Sequence, residues 1–171
     1  MGGDAAGLYG ELLHVPCLVR TPGAIGPPPR SSALSQPVDL PATLLDWFGV
    51  AAADSTEPGL SLLARDREGP SACRQYVVAT GDDGGRAIRT PAWMLYQRPP
   101  GAMQQEDQPS AGVVELYLKP DDRWEANEIA DRCPEIAAQL LAALDRVTAT
   151  PDAKTQAIGE PLDEQLVSHP R

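Results

Sequence analysis

The chain is poor in the residues from which most active sites are assembled. Its 171 residues include two histidines, three cysteines and one phenylalanine, and aromatics make up 5%. The cysteines, Cys17, Cys73 and Cys133, are odd in number and widely spaced, so neither a disulfide framework nor a zinc knuckle follows. A cysteine nucleophile needs a base beside it, yet His14 is the only internal imidazole and His169 lies close to the end. No apolar run reaches the roughly 18 residues of a membrane-spanning helix. Met1 to Asp4 holds no basic or apolar leader region, so no secretory signal is read and a cytoplasmic location is the default expectation. Basic residues are outnumbered, 14 against 24, for a net charge of −10. That balance argues against nucleic acid or an anionic membrane as partner, since both require clustered Lys and Arg. Neither the G-x-x-x-x-G-K-[ST] nor the G-x-G-x-x-G phosphate loop is present.

What the chain does have is a globular composition, with 42% hydrophobic and 22% charged residues, together with 18 prolines and 15 glycines that imply many turns. The length suits one ordinary domain with a tail. Val15 to Val19 is a short apolar run that reads as a buried strand. Leu40, Leu44 and Phe48 recur one turn apart, so residues 39–48 read as a helix with Asp39 as its cap and Gly49 as its stop. Trp47 and Phe48 are assigned to core packing. From residue 75 the period shortens to that of strands. Runs over 75–80, 86–90, 93–98 and 113–119 are rich in Val, Ile, Tyr or Trp and are separated by turn residues, which predicts an antiparallel meander. A turn and short helix are expected after Pro120. A second helix should run from Pro134 to about Val147, with Ile136, Leu140, Leu144 and Val147 as its apolar stripe. From Thr150 the chain reads as a polar tail.

The residues that carry chemistry are sparse. Asp82 and Asp83 sit in a glycine-rich turn and are expected to face water. Asp121 and Asp122 fit an N-capping role better than catalysis. Asp4 is an isolated carboxylate, and His14 is best read as bonded to backbone. Ser61 lacks the second glycine of a nucleophile elbow. No complete active site is visible, so no catalytic, cofactor-binding or metal residue is assigned.

Five blocks in order nevertheless resemble the C-terminal part of the sulfatases, members of the alkaline-phosphatase-like superfamily. Residues 8–23 resemble the segment in which a Tyr-Gly turn leads to V-P-apolar-apolar-R-x-P-G. Residues 36–49 are similar to the V-D-L-x-P-T-L-L-D-x-x-G helix, with Ala42 standing between the Pro and Thr. Residues 59–63 match G-x-S-L. Residues 86–95 resemble an I-R-T-x-x-W strand pair, and residues 115–127 resemble E-L-Y-D-L-x-x-D-P-x-E-x-N. The resemblance covers about Leu8 to Leu144. It implies an α/β to α+β architecture, with a strand and helix of the large sulfatase domain in residues 1–72, a small antiparallel sheet packed by a helix in 73–149, and a tail in 150–171.

The resemblance also implies what this sequence does not contain. Sulfatases hydrolyse sulfate esters with a formylglycine made from C/S-x-P-x-R, while a divalent cation, usually calcium, holds the sulfate oxygens. No C/S-x-P-x-R occurs here, Asp4 to Gly7 lacks the lysine many members place there, and the Asp-His-Gly metal segment would precede Leu8. The expectation is a sulfatase fragment inactive by itself, with calcium belonging to a full-length enzyme. The alternatives are a non-catalytic module that complements a separate N-terminal half, and an unrelated small α+β binding domain.

Overall fold

The structure is a computed structural model that describes residues 7–20, 26, 30–50, 59–64, 73–99, 112–149 and 161–168. Four strands form one antiparallel sheet in the order β1-β2-β3-β4. They are β1 Val77–Thr80, β2 Arg86–Arg89, β3 Trp93–Gln97 and β4 Val114–Leu118. This is the meander that the sequence predicts, and its register places Val78 opposite Ile88, Ile88 opposite Leu95 and Leu95 opposite Leu116. Because side chains alternate across a strand, these residues share one face.

That face is covered by a helix. The helices in chain order are α1 Gly10–Leu13, α2 Asp39–Trp47, α3 Pro134–Ala149 and α4 Glu164–Val167. Leu140, Ala143 and Leu144 of α3 are buried against Ile88, Trp93, Leu95 and Leu116, with Ile136 and Val147 packed at the margin. Each fully buried leucine here contributes about 1.5–3 kcal/mol. Arg86 ties the border together: its guanidinium donates to Thr148 Oγ1 at 2.8 Å and pairs with Asp145 at 2.7 Å.

The sheet's edges are also closed. Ile129 N donates to Leu116 O at 2.9 Å, and Glu128 Oε1 accepts Leu116 N at 3.0 Å, so β4 is not an open template for pairing. On β1, Gln36 Nε2 donates to Val78 O at 2.9 Å, and Leu34 forms an antiparallel bridge with Arg74.

Several local expectations change. Val15 to Val19 has no regular secondary structure and belongs to no sheet among the described residues, and it is exposed, with Leu18 at 88%. Among the described residues, the strand that its composition predicts has no neighbour to pair with, as the resemblance implies. Helix α2 forms as expected, and Gly49 ends it with φ +64°, a conformation that favours glycine. However, Leu40, Leu44 and Phe48 point to solvent, Phe48 at 75%, so Phe48 is not a core residue. Val38, not Asp39, is the N-cap residue. No α-helix forms over residues 120–129; turns there lead into a 3₁₀ turn at Ala130–Arg132. Part of the expected polar tail returns to the core. Leu166 is buried, Trp93 Nε1 donates to Gln165 O at 3.0 Å, and Leu162 N donates to Gln75 Oε1 at 2.9 Å.

Candidate functional site

The second face of the sheet is polar and carries the densest cluster of charges among the described residues. Alternation along the strands puts Ala87, Arg89, Met94, Tyr96, Glu115, Tyr117 and Lys119 on this side. Leu8, Tyr9 and Gly10 lie over it, with Leu8 buried beside Tyr96 and Tyr117. The Tyr9 ring meets Tyr96 edge-on, with centroids 5.3 Å apart, and Tyr117 at 6.4 Å.

Glu115 is the hub. Its Oε2 accepts the hydroxyls of Tyr9 at 2.8 Å and Tyr117 at 2.7 Å, and its Oε1 accepts Arg98 Nε at 2.5 Å. Arg98 Nη2 also donates to Tyr9 Oη at 3.3 Å. Burial, followed by the bond to Glu115, raises the phenol pKa of both Tyr9 and Tyr117. The hydrogen bond to Glu115 raises that of Arg98. A carboxylate whose two oxygens already accept from two phenols and a guanidinium has little capacity left to accept a proton from a substrate.

A second hub lies next to it. Lys119 Nζ donates to Asp122 O at 2.5 Å and Arg123 O at 3.2 Å and pairs with Glu125, so its three N–H groups are all used. Glu125 Oε2 accepts Gly10 N at 3.2 Å. Glu125 adopts φ +51°, a region uncommon for a residue with a side chain, while its carboxylate stays buried against Lys119. Arg89 lies within the field of Glu125. Burial lowers its pKa to about 10, an effect that Glu125 partly offsets.

Helix α2 is fastened by a separate polar clamp. Asp39 is fully buried; it accepts Leu60 N and Gln36 N, each at 2.8 Å, and pairs with the buried Arg74. Burial pushes the Asp39 carboxyl upward, but Arg74 and the two N–H groups outweigh it and hold the pKa below the ordinary value. Thr43 Oγ1 accepts Leu62 N at 2.9 Å, and Ser61 donates to Asp46. A Cβ on Gly59 would lie 2.2 Å from Val38 O, so only glycine lets the loop pass this close to α2.

The residues singled out from sequence do not converge. Asp82 and Asp83 lie on the turn as expected, with Asp83 Oδ1 accepting Gly85 N at 2.9 Å. Asp122 anchors a turn rather than a helix: it accepts Ala126 N at 3.0 Å and Asn127 N at 2.8 Å. Burial raises its pKa, and these bonds overcome that effect to leave it lowered. Cys17 and His14 are exposed, and Ser61 is bonded to Asp46. Asp4 and His169 lie outside the described residues. Among the described residues, no three His, Cys, Asp or Glu side chains are grouped as metal ligands. A cavity of about 390 Å³ between β1 and the end of α3 is lined by Gln36, Tyr76, Arg86 and Thr148 and holds no nucleophile paired with a base. Sequence reasoning missed Arg74, Glu115 and Glu125 as buried charges. The available signal was their position inside the apolar strand blocks and next to a tight turn.

Comparison with known proteins places this architecture. No family model matches the chain, and no curated protein does. Among solved structures it is similar to a sulfatase of Bacteroides thetaiotaomicron described in connection with the metabolism of multiple glycosaminoglycans. The identity is 19% and the TM-score 0.50, over 66% of this chain and 24% of that one. The likeness is one of fold, and this chain spans about a quarter of that protein's length. The mixed α+β arrangement, with a small four-stranded antiparallel sheet, is compatible with the C-terminal region of a sulfatase.

Proposed function

We propose that this chain is the C-terminal piece of a sulfatase-type hydrolase and does not turn over sulfate esters by itself. One observation carries the reading: each of the five sulfatase-like blocks is bonded to another. Tyr9 and Gly10 of the first meet Glu115 and Glu125 of the fifth. Asp39, Thr43 and Asp46 of the second hold Leu60, Leu62 and Ser61 of the third. The β2–β3 pair of the fourth adds β4 of the fifth, with Met94 opposite Tyr117. Motif residues matched by chance would not be expected to select one another as partners. The fold likeness to a sulfatase supports the same reading.

In such an enzyme the piece supplies shape, not chemistry. Its buried carboxylates are engaged by Lys, Arg and Tyr, and its sequence contains no C/S-x-P-x-R to provide the nucleophile. Sulfate-ester hydrolysis needs a nucleophile aimed at sulfur and a cation on the sulfate oxygens. A parent enzyme would bring both on its larger half, with calcium as the expected metal. The test is an aryl-sulfate assay on the purified 171-residue protein with added calcium. The expected rate is that of the buffer blank. Turnover that follows the protein through purification and disappears with chelation overturns the reading.

A further inference from the structure

Among the described residues, each lysine or arginine is either exposed or paired with a carboxylate, with one exception. Arg74 pairs with Asp39, Arg86 with Asp145, Arg98 with Glu115 and Lys119 with Glu125. Arg89, at the end of β2, is half-buried and belongs to no ion pair among the described residues. Its one hydrogen bond there runs from Nη1 to Trp93 O at 3.5 Å, and Thr90 N already donates to that carbonyl at 2.8 Å. A guanidinium has five N–H donors, so most of this one's are unspent. The carboxylate whose charge reaches Arg89, that of Glu125, is already engaged by Lys119 and Gly10 N. Val77 and Met94 stand opposite Arg89 on the neighbouring strands. Both are apolar, so the sheet offers the guanidinium no side-chain acceptor from either side. Acidic residues are not scarce, since Asp and Glu outnumber Lys and Arg by 24 to 14. The chain compensates its other half-buried and buried described cations and leaves this one open.

We infer that Arg89 is the receiving group of a binding site for a small oxyanion, a sulfate or carboxylate group that sets two oxygens against its guanidinium. Buried polar groups in native proteins have partners, and an unpaired charge costs more to bury than an unpaired neutral group. Water would fill the open donors without neutralising the charge. An oxyanion does both, because the planar fork of a guanidinium matches two oxygens of one anion. The apolar walls strengthen the attraction, since screening by solvent is weaker there. Lys119, the neighbouring cation, is buried and its three N–H groups are used, so recognition falls to Arg89. Arg89 is only half-buried, which leaves it within reach of a ligand arriving from solvent. The site belongs to this chain alone and does not depend on the sulfatase reading.

The probes are inorganic sulfate, methyl sulfate and acetate, each titrated into the 171-residue protein at an ionic strength held constant with chloride. NMR follows the Arg89 Nε–H group and the Trp93 amide. At least one probe should shift both signals saturably. A response to inorganic sulfate alone makes the ligand the free ion, a response to methyl sulfate makes it an ester group, and a response to acetate makes it a carboxylate. Arg89→Gln should weaken the binding about tenfold or more, and Arg89→Lys, which keeps the charge and loses the fork, should weaken it less. Arg123→Gln, at an exposed arginine stacked on Trp124, should leave it unchanged. A dispersed spectrum checks the fold of each variant; if Arg89→Gln does not fold, the shifts in the wild type and in Arg89→Lys decide. The inference is overturned if no probe gives a saturable shift, or if Arg89→Gln binds as the wild type does. It is equally overturned if Arg123→Gln loses as much binding as Arg89→Gln, which would mean a diffuse attraction of anions to surface charge.

Discussion

The sheet unit and the N-terminal region treat their apolar residues in opposite ways. In the sheet unit, Ile88, Leu95, Leu116, Leu140 and Leu144 are all completely buried, and both outer strands are covered. In the N-terminal region, residues with the same periodic pattern face water: Leu44 at 57%, Phe48 at 75% and Leu18 at 88%. Periodicity records that a face is meant to be covered; it does not say that the cover lies in the same chain. Helix α2 is fastened by a polar clamp, Arg74 to Asp39, whereas Leu8 and Tyr9 pack on Met94, Tyr96 and Tyr117 of the sheet unit.

That clamp provides the sharpest way to break the comparison. Removing one member of a buried ion pair leaves the other uncompensated, at a cost of about 3–5 kcal/mol. Arg74→Ala should therefore detach α2, seen as lost helical signal, while the sheet unit keeps its slow amide exchange. Loss of the sheet in the same step would show the two regions to be one cooperative body. Truncation within the closed region comes next. Leu95→Ala should cost about 2–5 kcal/mol in urea unfolding, since Leu95 is fully buried between β2, β4 and α3. A cost near zero would mean that the sheet core is not packed as described.

Acid should act on the clamp. Asp39 has a folded pKa below its unfolded value, so its contribution is full above the ordinary carboxylate range and is lost as pH falls through the folded value. The urea midpoint of the wild type should fall below about pH 4, and Asp39→Asn should flatten that dependence. A variant whose slope matches the wild type would contradict this role. The smallest effect belongs to the open face. Leu44→Lys alone should change the stability of the isolated chain by no more than about 0.5 kcal/mol, because the side chain meets water already. A larger loss would show that α2 is covered within the chain.

The sheet was readable because it is local. Short Val- and Tyr-rich runs separated by Gly81 to Gly85 and by Pro91 permit little except a meander, and the α3 stripe at Ile136, Leu140, Leu144 and Val147 needs only one partner face. The N-terminal pattern alone reads as buried, while the resemblance implies a strand without its neighbours and an uncovered helix face, and the exposure of Leu18, Leu44 and Phe48 agrees with the latter. Val15 to Val19 has the composition of a buried strand, and Phe48 that of a core residue, but nothing among the described residues supplies the neighbouring layer. The buried charges were hidden for a different reason. Asp39 looks like a helix cap until Arg74, 35 residues away, closes on it. Glu125 is one acidic residue among many until Lys119 and Gly10 N meet it. Such pairings depend on long-range geometry, which spacing along a chain does not encode. The return of Leu166 to the core was missed because a four-residue helix carries too short a pattern to register.

Amide hydrogen exchange on the isolated chain tests the division most directly. The account predicts that β2, β3, β4 and α3 exchange slowly while the amides of residues 17–19 exchange at nearly the rate of an unstructured peptide. Protection of those three amides equal to that of β3, in a monomeric sample, would mean that residues 15–19 are already paired within this chain and would contradict the claim that their cover lies elsewhere.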